Sequence, residues 1–195
     1  MARTVLFSDK QLAEYINSNF EACWAPLRPV PTLTVDFGNG RILKRTLHGN
    51  IASYICRADG QVIDILPGLY GPRTYQANLK TLLSVVSSLA KATEKDAALF
   101  AYHEGKSQFP LYQSTSIAEP EIFALGGAKF SDSIREDIIV DERDKRPIIH
   151  EMLAHRKVTQ PSDVTNEVYR RTLGLDLEDP YLGLGEALTC KFPGE

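Results

Sequence analysis

Between Gly49 and Pro72 the chain reads GNIASYICRADGQVIDILPGLYGP, and no other stretch limits the possible fold as strongly. Two apolar runs of strand length, Ile51 to Cys56 and Gln61 to Leu66, flank Asp59-Gly60. That dipeptide tolerates the positive φ angles of a tight hairpin turn. Pro67-Gly68 ends the second run. Pro72 then falls at the start of a helix, where its missing N–H would have had no intrahelical partner in any case. This helix is predicted to run to about Ala90, with Tyr75, Leu79, Leu82, Leu83 and Val86 as its inward stripe.

Upstream, Ser8 or Asp9 can cap a helix whose apolar side is Leu12, Ile16 and Phe20, with Tyr15 at its edge. Pro26, Pro29 and Pro31 cannot all sit inside a helix or a central strand, so Cys23 to Pro31 is expected to be a loop or an extended edge. Thr32 to Phe37 and Arg41 to Leu47 surround Gly38-Asn39-Gly40 and predict a second hairpin. After Thr93 the pattern weakens. Glu94 to Tyr102 predicts a short helix, Gly105 to Pro120 is polar and broken by prolines, and Glu121 to Phe130 fits a strand or a pair of turns. A helix is predicted over Pro147 to His155. Another, led by Thr159 and Pro161, has Val164, Val168 and Leu173 inward, Gly174 closing it and Asp179-Pro180 starting a last turn. The boundary is placed near residue 92. Residues 1–92 form a compact α/β domain, and residues 93–195 form a mostly helical extension packing on it.

The composition bears on what such a chain can do. Its 195 residues, 43% hydrophobic and 24% charged, suit one domain with a core plus an appendage. The net charge is -3, and Arg143, Lys145 and Arg146 alternate with Asp141, Glu142 and Asp144, so that run is expected to be a solvated turn or helix end. No basic stripe marks a nucleic-acid binder. No apolar run approaches the ~20 residues of a membrane span, and the first residues lack the apolar core of a secretory signal. Cys23, Cys56 and Cys190 are odd in number, with neither Cys-x-x-Cys nor metal-finger spacing. These features together predict a cytoplasmic protein.

Two segments carry a family resemblance: FSDKQLAEYINSNF, Phe7 to Phe20, and the Gly49–Pro72 stretch. The first resembles the helix that follows the active site in thioredoxin-like proteins. The second resembles their later hairpin and the loop into the last helix. With the hairpin from Leu33 to Leu47, the likeness covers roughly the first 90 residues. It implies an α/β, three-layer fold with a mixed sheet. It does not imply the activity. That family uses Cys-x-x-Cys at the start of its first long helix, where the helix N-terminus lowers the thiolate pKa. Here no cysteine precedes Ser8. The family's cis-proline position falls on Ile51, after Asn50, where a cis bond would cost about 3 kcal/mol. The resemblance therefore implies a redox-inactive member, with no cofactor.

The remaining candidates follow from residue type and position. Cys23-Trp24-Ala25-Pro26 echoes a dithiol string but lies after the first helix, with Arg28 near in sequence. Cys56, in an apolar strand, is expected to be a small buried hydrophobe. His150 and His155 are five apart, which turns them about 140° from one another on a helix and defeats the zinc-peptidase spacing of four. They are expected to be an exposed pair, and no metal site is assigned. His48, Asn50 and Tyr54 could line a polar pocket at the mouth of the central strand. Gly68 to Gly71 lacks a phosphate-loop Lys, and Asp176, Glu178 and Asp179 lack the order of a calcium loop.

The function expected is a binding or assembly module for a protein partner. Its contact residues would be Trp24, Pro26 and Pro29, with His48 and Asn50 as further binding residues. The alternative is a single-cysteine oxidoreductase or peroxidase at Cys23. A third reading is a hydrolase built between the two parts around His103, His150 or His155.

Overall fold

A computed structural model describes residues 6–46, 49–108 and 141–185. His48, Cys190 and the segment Glu121 to Phe130 lie outside these residues. The chain begins with helix α1, Lys10–Asn19, whose N-cap Asp9 accepts a 2.8 Å hydrogen bond from the Leu12 amide. This satisfies one of the amides that a helix start leaves without a partner. Leu12 is buried, and Tyr15, Ile16 and Phe20 pack beside it.

Strands β1, Thr32–Asp36, and β2, Ile42–Thr46, pair antiparallel with Asp36 opposite Ile42. Gly38 and Gly40 take φ of 70° and 81° in the turn, the left-handed region that glycine enters without strain. Among the described residues this sheet has two strands only. Strands β3, Ala52–Cys56, and β4, Val62–Pro67, form a second antiparallel pair with Tyr54 opposite Ile65 and a bulge at Ile55/Cys56. Both pairings among the described residues are antiparallel, so the mixed sheet expected from the sequence is corrected to two small antiparallel sheets. The reason is local, because each tight turn returns its strand directly onto its neighbour.

Helix α2, Pro72–Lys91, follows β4 and buries Tyr75, Leu79, Leu82 and Leu89, with Leu83 and Val86 half-buried. Helix α3, Lys95–Gln108, runs through Gly105 and is longer than the sequence pattern predicts. A π-helical turn, Asp141–Lys145, leads into helix α4, Arg146–His155. A 3-10 turn, Pro161–Asp163, precedes helix α5, Thr165–Leu173, which ends at Gly174 with φ 65°.

Every residue of β4 is buried, and the strand contributes to two apolar clusters. Leu66 joins Leu6, Leu12, Ile55, Tyr70, Tyr75, Leu79 and Leu82, the cluster of α1 and α2. Val62 and Ile65 join Ile149, Met152, Leu153, Val164, Val168 and Leu173, the cluster of α4 and α5. Fully burying one such side chain is worth about 1.5–3 kcal/mol, so these contacts fix β4 between the two helical groups. The molecule is mixed α/β with two small sheets and a helical C-terminal part.

Candidate functional site: a buried carboxylate, guanidinium and imidazole cluster

Asp64 stands in the apolar run Val62-Ile63-Asp64-Ile65-Leu66 and is wholly inaccessible to solvent. A buried carboxylate needs partners to offset its lost hydration. The Arg146 guanidinium supplies them through Nη1–Oδ1 at 2.7 Å and Nη2–Oδ2 at 2.8 Å. Nη1 of Arg146 also donates to the Ile65 carbonyl, and the Ile65 amide donates to Asp64 Oδ1 at 2.7 Å. Burial alone would raise the Asp64 pKa. The Arg146 charge and its hydrogen bonds prevail and hold the carboxyl well below its usual range.

Arg146 and His150 are four residues apart on α4, so they share one face. His150 meets His103 of α3, with the two Nδ1 atoms 2.9 Å apart. His103 Nε2 lies 3.0 Å from the Ile63 carbonyl oxygen. A carbonyl can only accept, so Nε2 of His103 carries the proton and its Nδ1 is bare. His150 Nδ1–H then donates to it. Both rings are neutral in this arrangement. Burial lowers both pKa values, that of His150 to about 3, and the Arg146 charge works in the same direction. The negative charge of Asp64 opposes the shift without reversing it. The Tyr102 ring packs edge-on to both imidazoles, at 5.0 Å from His103 and 5.7 Å from His150.

The ligating atoms of Asp64, His103 and His150 all lie within 4.8 Å of one another. His103 also forms part of the wall of a cleft of about 400 Å³, with Gln61, Val62, Asp96, Leu99 and Phe100. Asp96 precedes His103 by two helical turns, and this brings both to the cleft. Its carboxylate accepts from Lys157 Nζ at 2.6 Å and Gln61 Nε2 at 3.2 Å. Among the described residues, no serine, threonine or cysteine lines the cleft. The hydrolase reading therefore finds a histidine and a carboxylate there without a hydroxyl or thiol nucleophile.

Several sequence expectations are corrected here. His150 is buried and bonded rather than exposed, whereas His155 is exposed. The five-residue spacing is the reason, since it sends the two rings to different faces. Arg146 is buried against Asp64 rather than solvated with Arg143 and Lys145. Cys56 is exposed, because it sits at the strand end beyond the bulge.

The residues singled out for binding lie elsewhere. Trp24 is 64% exposed, and Pro26, Pro29 and Cys23 are exposed. Asn50 is half-buried, its amide donating to the Arg28 carbonyl at 2.9 Å and its own carbonyl accepting from Tyr169 OH at 3.1 Å. Arg28 donates to the carbonyls of Leu177, Asp179 and Pro180. Asn50 and Arg28 thus tie the proline-rich loop to α5 and the turn after it. Tyr54 OH meets Thr165 Oγ1 at 3.4 Å. Sequence reasoning passed over Asp64, although an acid alone in an apolar strand was a usable signal for a buried partner.

In comparisons with known proteins, no family model, curated protein or solved structure matches this chain.

Proposed function

We propose that the chain is a protein-binding or assembly module, built on a thioredoxin-like, three-layer unit that does no thiol–disulfide chemistry. The β3–β4 hairpin between α1/α2 and α4/α5 supports the layered reading. The absence of Cys-x-x-Cys from the sequence supports the redox-inactive one. On this reading the protein is cytoplasmic.

The observation that carries the binding function is the β1–β2 hairpin. It pairs with no further strand among the described residues, yet it exposes Leu33, Phe37, Ile42 and Leu43. An isolated two-stranded hairpin is marginal in water, and exposed apolar side chains grouped on one element mark contact surfaces. Trp24 and Leu27, in the loop just before β1, add exposed apolar area. Pro26 and Pro29 stiffen that loop, which lowers the entropy lost on docking.

The test is affinity capture from an extract of the source organism, comparing the native chain with a Phe37→Ser/Ile42→Ser variant. A partner retained by the native chain and lost by the folded variant supports the reading. Equal retention by both removes the hairpin as the contact surface.

A further inference from the structure

We propose that His103 and His150 bind one divalent transition-metal ion of the imidazole-preferring kind, such as zinc, cobalt, nickel or copper, with Asp64 as the adjacent carboxylate. Three observations carry this. The first is spacing. Two imidazole nitrogens that each hold an ion at about 2.0–2.1 Å are about 2.9 Å apart at the ~90° angle of a square-planar or octahedral ion and about 3.3 Å apart at the tetrahedral angle of zinc. The two Nδ1 atoms are 2.9 Å apart, so copper or nickel fits as the rings stand and zinc asks them to part by a few tenths of an ångström. The second is orientation. The Ile63 carbonyl fixes the Nε2 proton of His103 and leaves Nδ1 with its lone pair toward His150. A backbone carbonyl holding the far ring N–H is the outer support that metal-binding histidines generally have. The third is position, since His103, itself almost wholly buried, forms part of the cleft wall, so that the pair lies one side chain away from solvent.

The proton balance is simple. His150 Nδ1 must release its proton to take the ion, and moving that proton to Nε2 leaves the ring neutral. No proton is lost from the pair. The charge balance restricts the site. Arg146 already neutralises Asp64 through both oxygens, so the ion's charge is not fully compensated by the protein. The ion therefore keeps an anionic ligand from solvent, such as hydroxide or chloride, on its cleft side.

The test is titration of chelator-treated full chain with cobalt(II), read by visible absorption, and equilibrium dialysis with zinc(II), read by elemental analysis. One ion per chain is expected, with binding retained in His155→Ala and reduced at least roughly tenfold in His103→Gln and in His150→Gln. Imidazole nitrogen NMR of the native chain provides a readout that does not depend on the variants folding. Zinc should shift the Nδ1 signals of both rings. The proposal is overturned if the native chain takes up no ion, if a folded His150→Gln variant binds as well as the native chain, or if zinc leaves both Nδ1 signals in place.

Discussion

Asp64 of β4 and Arg146 of α4 form a two-pronged ion pair with almost no contact with water, across 82 positions of sequence. Such a pair does not owe its importance to Coulomb attraction alone, because taking both charges out of water costs several kcal/mol each. Its importance shows when one member is removed. Arg146→Met leaves a carboxylate buried without its counter-charge and should destabilise the chain by about 3–5 kcal/mol. The double variant Asp64→Leu/Arg146→Met should recover most of that loss. Urea unfolding of the three proteins measures both effects. Equal losses in the single and double variants would show that the pair does more than satisfy itself.

Acid should unfold the metal-free chain through the histidines. The folded-state pKa of His150 is pushed down to about 3, below the unfolded value, and His103 is shifted in the same direction. The folded state therefore binds fewer protons than the unfolded chain once pH falls below about 6.5. Stability is full above that value and declines as pH drops toward the folded pKa. Asp64, also lowered, adds to the decline once pH passes below the ordinary carboxylate range. Thermal melts from neutral pH down to pH 4 should show a falling Tm, and a folded His150→Gln variant should show a shallower fall. A Tm that stays flat over that interval contradicts the assignment of neutral imidazoles.

The exposed hairpin separates binding from stability. Phe37 and Ile42 are each 60% exposed, so Phe37→Ser and Ile42→Ser should change unfolding free energy by no more than about 0.5 kcal/mol. Replacing Leu66, which is wholly buried, by Ala should cost about 2–5 kcal/mol by comparison. Chemical denaturation distinguishes the two sites. A large loss at Phe37 or Ile42 would mean that the hairpin is part of the core.

The Cys56 thiol should be slow to react. Cys56 is exposed as a residue, yet its sulfur is partly desolvated, which pushes the thiol pKa up, and the nearby Cys23 adds to the shift. With less thiolate at neutral pH, Cys56 should alkylate more slowly than an unperturbed thiol. Cys23→Ser should speed it modestly. Iodoacetamide labelling followed by peptide mapping reads each site, and Cys56 labelling as fast as a free thiol would contradict the shift.

The sequence disclosed what depends on neighbours a few positions away. The Asp9 cap, the Asp59-Gly60 turn, the start of α2 at Pro72 and the close of α5 at Gly174 all follow from local backbone chemistry, and the chain adopts them. The cluster was less legible because its members come from β4, α3 and α4. His103 and His150 are 47 positions apart, and no periodicity within one element reports such a meeting. Arg146 was hidden by the charges around it, since its neighbours Arg143 and Asp144 pair with one another at the surface. Cys56 misled for the opposite reason. Its neighbours are those of a buried strand, but the bulge at Ile55/Cys56 ends the regular pairing there.

Because β4 is covered by α1 and α2 on one side and by α4 and α5 on the other, synthesis imposes an order on folding. When the first 92 residues have left the ribosome, Val62 and Ile65 have no cover, and Asp64 has no counter-charge. That partly made chain must persist until residues 146 to 173 emerge. Until then these groups face water, and the partly made chain carries an exposed apolar surface that the finished fold removes.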